Sequence, residues 1–125
     1  MLLRELHLKF LASLPRLTES KVEYVMMAHL RTSVLYWSLT TQSLFGVPQE
    51  EFTVSKSEAL AYLKRVYRPE VGGFAGEEGA HDAHLLFTLS ALQIMKIYQF
   101  DAVEWFDSEK CVQCKPFLGE PLLIL

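Results

Sequence analysis

The sequence predicts an all-α fold in two layers, and three observations carry that prediction. The first is the run Val22 to Gly46, VEYVMMAHLRTSVLYWSLTTQSLFG, which is apolar on nearly every helical face and carries Arg31 as its only formal charge between Val25 and Phe45. The second is a like run from Ala83 to about Gln99, apolar through Leu85, Leu86, Phe87, Leu89, Leu92, Ile94, Met95, Ile97 and Tyr98. The third is that the helices before and between these runs have one charged and one apolar side. A helix apolar all round needs neighbours on every side. The alternation therefore puts the apolar helices in an inner layer and the amphipathic ones in an outer layer. The apolar runs are offset by roughly fifty residues, the period of a two-helix repeat of the kind that closes into solenoids or α/α barrels. Two inner helices cannot cover each other's second apolar face, so the chain reads as part of a larger object or as the obligate partner of one.

Taken in order, Leu2 to Leu14 places Leu3, Leu6, Phe10 and Leu14 on one face with Arg4, Glu5 and Lys9 largely opposite, and Pro15 stops it. Ser20 and Glu23 form a capping box that opens the long helix, and Gly46 and Pro48 close it. A second box, Ser55 with Glu58, opens a helix of about twelve residues that ends before Pro69. Its apolar side is Ala59, Leu60, Leu63, Val66 and Tyr67; Lys56, Glu58, Lys64 and Arg65 lie opposite. The glycine-rich segment Val71 to Gly76 supplies positive φ for a turn. Asp82 then caps the second apolar helix, and Asp101 starts another through Trp105 and Phe106. Beyond that the periodicity is lost, giving an expected division into a repeat domain over 1–106 and a divergent tail over 107–125.

Bulk properties narrow the function. The 125 residues suffice for one core, and 50% apolar content excludes disorder. A net charge of −3 with Lys and Arg scattered singly leaves no basic patch, so nucleic acid is not an expected partner. Arg4, Glu5 and Lys9 interrupt the N-terminal apolar run, which is not a signal peptide, and the most apolar later window, Leu85 to Met95, is about half the length a membrane span needs. A soluble, cytoplasmic protein is expected. No nucleophile with its base, no paired carboxylates and no phosphate loop emerge.

Several residues admit two readings. Tyr36 and Trp37 on an apolar helix read by themselves as core aromatics, and Ser33 as a small spacer between helices. His81 and His84, three apart, fit one helical face and could hold a metal with Asp82, although Asp82 is better explained as a cap. His7 and His29 read as packing or surface residues, and Arg31 as the partner of a carboxylate at the layer edge. Cys111 and Cys114 form a single CxxC, half a zinc site, a redox pair or chance.

The chain resembles the β subunits of protein prenyltransferases, and within them the type II (Rab) geranylgeranyltransferase group. The likeness runs from about Leu2 to Tyr98. It rests on Glu5, His7 and Phe10-Leu11-Ala12-Ser13; on Glu23-Tyr24 and Leu30-Arg31-x-Ser33-x-x-Tyr36-Trp37-x-Leu39-Thr40; on Gly72-Gly73; and on His81-Asp82-x-His84-Leu85-Leu86-Phe87-Thr88-Leu89-Ser90-Ala91. The resemblance implies an α/α toroid whose inner helices line a funnel for geranylgeranyl diphosphate. It places Ser33, Tyr36, Trp37 and Leu89 in the lipid pocket, a small side chain leaving depth and flat rings supplying wall. It also implies zinc to activate the acceptor cysteine of a Rab protein, presented with an escort protein, and a prenyltransferase α subunit as partner in a heterodimer.

The family's zinc ligands and diphosphate-binding residues fall in the second half of a subunit well over twice this length. Ala83 also departs from the family's usual proline. The chain is therefore expected to be a truncated portion, inactive alone, with no cofactor of its own. The alternative is a non-catalytic helical module that binds an α subunit or another partner. A terpene cyclase of the related fold is disfavoured by the missing DxDD-type motif.

Overall fold

A computed structural model describes residues 3–13, 22–100 and 103–113. Among the described residues the regular structure is six α-helices, one short hairpin and two 3₁₀ turns at Ala28–Leu30 and Gln49–Glu51: α1 (Arg4–Ser13), α2 (Val22–Met26), α3 (Arg31–Leu44), α4 (Lys56–Val66), β1 (Tyr67–Arg68), β2 (Gly73–Phe74), α5 (Leu85–Ile97) and α6 (Ser108–Gln113). The core is Leu39 of α3, Ala59, Leu63 and Val66 of α4, Tyr67 and Phe74 of the hairpin, and Ala91, Ile94, Met95 and Tyr98 at α5. Helix α3 packs along α5 more extensively than any other described pair, and α4 leans on α5 from the outer side. The apolar and half-charged runs thus occupy the inner and outer positions that their periodicities require.

The long apolar run is not one helix. Helix α2 stops at Met26, a 3₁₀ turn covers Ala28–Leu30, and α3 begins at Arg31. Met27 and Leu30 sit at ψ 0° and 5°, in the bridge region where α-helical bonding lapses. The cause is tertiary. The Gly76 carbonyl accepts the Thr32 N–H at 3.1 Å and so satisfies the opening turn of α3 from another part of the chain. The capping box expected at Ser20 lies outside the described residues.

At its other end α3 closes as the sequence predicts. Gly46 takes φ +70°, the Val47 N–H reaches the Gln42 carbonyl and the Gly46 N–H that of Ser43, the paired bonds of a Schellman cap. Helix α1 caps the same end from outside: Arg4 donates from Nε and Nη2 to the Phe45 carbonyl at 3.2 and 2.9 Å, and His7 stacks on the Phe45 ring. A cation at a helix C-terminus is favourable on both hydrogen-bonding and dipole grounds. Leu11 is the buried residue of α1, whereas Leu3, Leu6 and Phe10 face outward.

Helix α4 opens with the predicted capping box. Ser55 Oγ accepts the Glu58 N–H, and Glu58 Oε2 accepts the Ser55 hydroxyl at 2.5 Å and the Ser55 N–H at 2.8 Å; the hydroxyl first and the N–H second hold the Glu58 carboxyl below its usual range. The hairpin pairs Tyr67 with Phe74 and Arg68 with Gly73, and Gly72 turns it at φ +74°. This ladder is the one strand pair described in an otherwise helical chain.

Two expectations about helix starts are corrected. Asp82 does not cap α5; the cap is His84, whose Nδ1 accepts the Leu86 N–H at 3.3 Å. The backbone N–H of His84 donates to the Phe74 carbonyl, which draws the residues before α5 into extended conformation and delays the helix. Asp101 lies outside the described residues, and residues 103–106 form a turn closed by Phe106 N–H to the Val103 carbonyl. Helix follows instead at α6, where Asp107 Oδ1 accepts the Lys110 N–H at 2.9 Å. Trp105 and Phe106 fold back onto Tyr67 and Phe74, with ring centroids 5.5 to 6.5 Å apart. Cys111 lies half-buried in α6; Cys114 is outside the described residues.

Helix α5 ends in a second Schellman cap, but the residue at positive φ is Gln99, at 53°. A side chain there costs about 1 kcal/mol that glycine would not. Gln99→Gly is expected to raise stability by about 0.5–1 kcal/mol in urea denaturation, and a loss of stability would contradict the cap assignment.

Tyr98, buried beneath α4, donates its hydroxyl to the Val54 carbonyl at 2.5 Å. Burial first, and the Glu58 carboxylate second, push its phenol from 10.0 to about 12. The folded state then keeps a proton that the unfolded chain releases, so this contribution is intact below pH 10 and lost as pH rises through about 12. Tyr98→Phe is expected to be less stable at neutral pH by about 1 kcal/mol, the value of a hydrogen bond. It should also show a shallower fall in urea midpoint between about pH 10 and 12; parallel curves for the two proteins would refute the assignment.

Candidate functional site

On α3 and α5 the ordinary arrangement of polar and apolar residues is partly inverted. The buried positions of α3 include Thr32, Ser33, Ser38 and Gln42, and those of α5 include Thr88 and Ser90. The outward positions include Trp37 and Leu44 on α3 and Leu85, Leu86, Leu89 and Leu92 on α5, beside the polar Ser43, Gln93 and Lys96. Leu85, Leu89 and Leu92 recur at helical spacing and form one stripe. A helix that met water on this side would reverse the assignment.

The buried polar groups are held by hydrogen bonds, as an apolar seam demands. Ser33 Oγ lies 3.0 Å from Ser90 Oγ across the seam, and Ser90 donates to the Leu86 carbonyl at 2.9 Å. Gln42 donates to the Ser38 carbonyl and to Thr53 Oγ1, while its own Oε1 accepts the Thr53 N–H. Thr88 Oγ1 accepts the Phe74 N–H at 2.9 Å, tying the hairpin to α5. Thr40 Oγ1 is the one buried side-chain oxygen without a partner among the described residues.

The four residues singled out by resemblance divide. Trp37 is 48% exposed and Leu89 52%, both on the outward apolar surface. Tyr36 is half-buried and packs against the core. Ser33 is fully buried in the seam and occupies the spacer position. Sequence reasoning passed over Ser90 and the leucines flanking Leu89; the signal for both was a helix with leucines on one side and Ser, Thr and Ala on the other.

The metal reading of His81 and His84 does not survive. Both precede α5 and so share no helical face; His81 is exposed, and His84 is occupied in capping and lies against the Phe87 ring. Among the described residues no group of three or more His, Cys, Asp or Glu side chains could hold a metal ion, so the zinc that the resemblance implies finds no donor set in them and no chemical step is assigned to it. No described helix is long and apolar enough to cross a membrane.

Alternating helices in two layers, with an apolar surface turned outward from the inner pair, describe one wedge of an α/α toroid, and residues 2–117 match the family model of the prenyltransferase alpha-alpha toroid domain. The chain belongs to that family. It is 33% identical over 117 residues to the geranylgeranyl transferase type-2 subunit beta of Saccharomyces cerevisiae, covering 94% of this chain and 34% of the yeast protein. It is 39% identical over 94 residues to geranylgeranyl transferase type-2 subunit beta 1 of Arabidopsis thaliana, and 36% over 76 residues to the Candida albicans subunit. These matches cover 75% and 61% of this chain but 27% and 21% of the relatives. The chain therefore spans about a third or less of the curated relatives it matches.

Proposed function

We propose that the chain is the N-terminal part of a type II protein geranylgeranyltransferase β subunit, and that α3 and α5 contribute one wall of its isoprenoid funnel. The observation that supports this is the outward surface bearing Trp37, Leu44, Leu85, Leu89 and Leu92 on helices whose buried sides are partly polar. An apolar patch of this kind is kept for a ligand or a neighbouring helix. Trp37 and Leu89 would touch the lipid and Tyr36 would border it. Ser33 would act from the seam. The reaction of the whole enzyme is transfer of a geranylgeranyl group from its diphosphate to a C-terminal cysteine of a Rab protein presented with its escort protein, in the cytoplasm. Zinc and the diphosphate clamp would come from outside the described residues, and the 125-residue chain alone would not catalyse transfer. The division into a repeat domain over 1–106 and a tail over 107–125 belongs to the same proposal.

The test uses Trp37 as its own probe. The sequence holds two tryptophans, so Trp105→Phe leaves one indole to report. Geranylgeranyl diphosphate is expected to quench it saturably, inorganic pyrophosphate to leave it unchanged, and Leu89→Gln to weaken the response about tenfold. That factor corresponds to about 1.4 kcal/mol, within the range for one buried leucine. Quenching by pyrophosphate alone, or none by the lipid, would overturn the assignment, and so would zinc-dependent prenyl transfer by the purified chain.

A second reading is supported by a separate surface. Leu3 just before α1, Leu6 and Phe10 on α1, and Val22, Val25 and Met26 on α2 also face outward. A helical module that binds an α subunit or another partner through them, without turnover, would be captured by an immobilised α subunit and released by Phe10→Glu.

A further inference from the structure

Ser33 and Ser90 are both buried, they come from α3 and α5, and their hydroxyls meet at 3.0 Å. The direction of this bond follows from counting protons. Ser90 has one hydroxyl hydrogen and donates it to the Leu86 carbonyl at 2.9 Å, so Ser33 is the donor to Ser90 Oγ. The result is a relay from Ser33 through Ser90 to the backbone of α5. It fixes the approach of the two helices at one level, because a buried hydroxyl left without its acceptor is penalised more than a mismatched apolar contact.

What that level controls is set by helical spacing. Trp37 lies one turn beyond Ser33 on α3, its ring exposed where the Ser33 hydroxyl is buried, and Leu89 is the residue next to Ser90 on α5. Both outward side chains therefore ride on the backbone that the hydroxyl pair anchors. We infer that Ser90 is a positioning residue of the apolar wall, which acts through Ser33 to fix where Trp37 stands relative to Leu89. Ser90 does not touch the ligand. It sets the width of wall that an isoprenoid chain meets, and so contributes to discrimination between chains of different length. This rests on the lipid-wall reading of the preceding subsection.

The experiment is a double-mutant cycle on ligand preference in the 125-residue chain. Dissociation constants for geranylgeranyl and farnesyl diphosphate are measured by Trp37 quenching in the Trp105→Phe background. Ser90→Ala is expected to change the ratio of the two constants at least threefold. Ser33→Ala should do the same, and Ser33→Ala with Ser90→Ala should give no further change, since each removes one end of a single relay. Ile94→Val, a buried change one turn beyond Ser90 on α5 that keeps both hydroxyls in place, should leave the ratio at its wild-type value and so separates positioning from loss of stability. Should Ser90→Ala not fold, Ser90→Cys retains the volume with a weaker acceptor and is read in its place. An unmoved ratio, additive effects in the cycle, or an equal shift from Ile94→Val would overturn the role of Ser90 while leaving the lipid wall standing. Absence of saturable binding by the unsubstituted chain would overturn the wall itself, and this inference with it.

Discussion

Gly76→Ala is expected to lower the melting temperature by about 10 °C. A Cβ at Gly76 would lie 2.1 Å from the His29 carbonyl oxygen and 2.7 and 2.8 Å from the Phe87 ring. The ring could turn aside, but the carbonyl belongs to the 3₁₀ segment between α2 and α3. Retreat is blocked from the other side by the Thr32 N–H on the Gly76 carbonyl and by Thr32 Oγ1, which donates to the Ala75 carbonyl at 2.8 Å. Relief of the clash must break one or more of these buried hydrogen bonds. Overpacking costs about 1–3 kcal/mol and each lost buried hydrogen bond about 1 more, which together give roughly 3 kcal/mol. At about 3–4 °C per kcal/mol for a chain of this size, the shift follows. Gly79→Ala is the control, since a Cβ there has nothing within 4 Å and should move the midpoint by less than about 2 °C. Equal shifts for the two variants in a thermal melt would show that the loop does not wedge the helix break open.

Phe74→Ala is expected to cost about 3–5 kcal/mol, the range for removing a buried phenylalanine ring. The Phe74 ring is fully buried and meets Tyr67, Trp105 and Phe106 at centroid separations of 5.1, 6.5 and 5.7 Å. It is thus the point where the hairpin grips the segment leading into α6. Its removal should shift Trp105 emission to longer wavelength before global unfolding, a change readable in a Trp37→Phe background. Phe74→Leu, which keeps most of the volume, should cost under half as much. If the emission of Trp105 were unchanged in Phe74→Ala, the packing of the 103–106 turn on the hairpin would be refuted.

The two predictions concern the features least visible in the sequence. The break at Met27 to Leu30 has no glycine, no proline and no change in apolar period. It arises because Gly76, more than forty residues away, presents its carbonyl to Thr32 and leaves no room for a continuous helix. His84 caps α5 in place of Asp82 because its backbone is already committed to Phe74. Trp105 and Phe106, expected in a helix started by Asp101, lie instead in a turn whose position follows from an aromatic surface that exists only after the hairpin forms.

The candidate surface was more legible. The run Ala83 to Gln99 reads as apolar on most faces, and Trp37 and Leu89 stand out by resemblance; which of its leucines face outward is set by the packing of α5 on α3. Ser33 was marked as well, but its burial against Ser90 could not be, because two residues 57 apart in sequence meet only through the packing of α3 on α5.

By itself, then, the sequence determined the helical class, the inner and outer layers, the Ser55 capping box, the closure of α3 at Gly46 and the presence of an apolar face with no cover of its own. These depend on period and on contacts within a few residues, where local chemistry decides. The tertiary structure decided where the long run breaks, which residue caps α5, where the aromatic segment docks and which serine locks the two inner helices together. Each of those is a hydrogen bond or a close approach between groups distant along the chain, and its energy exists only once the fold has brought them into contact.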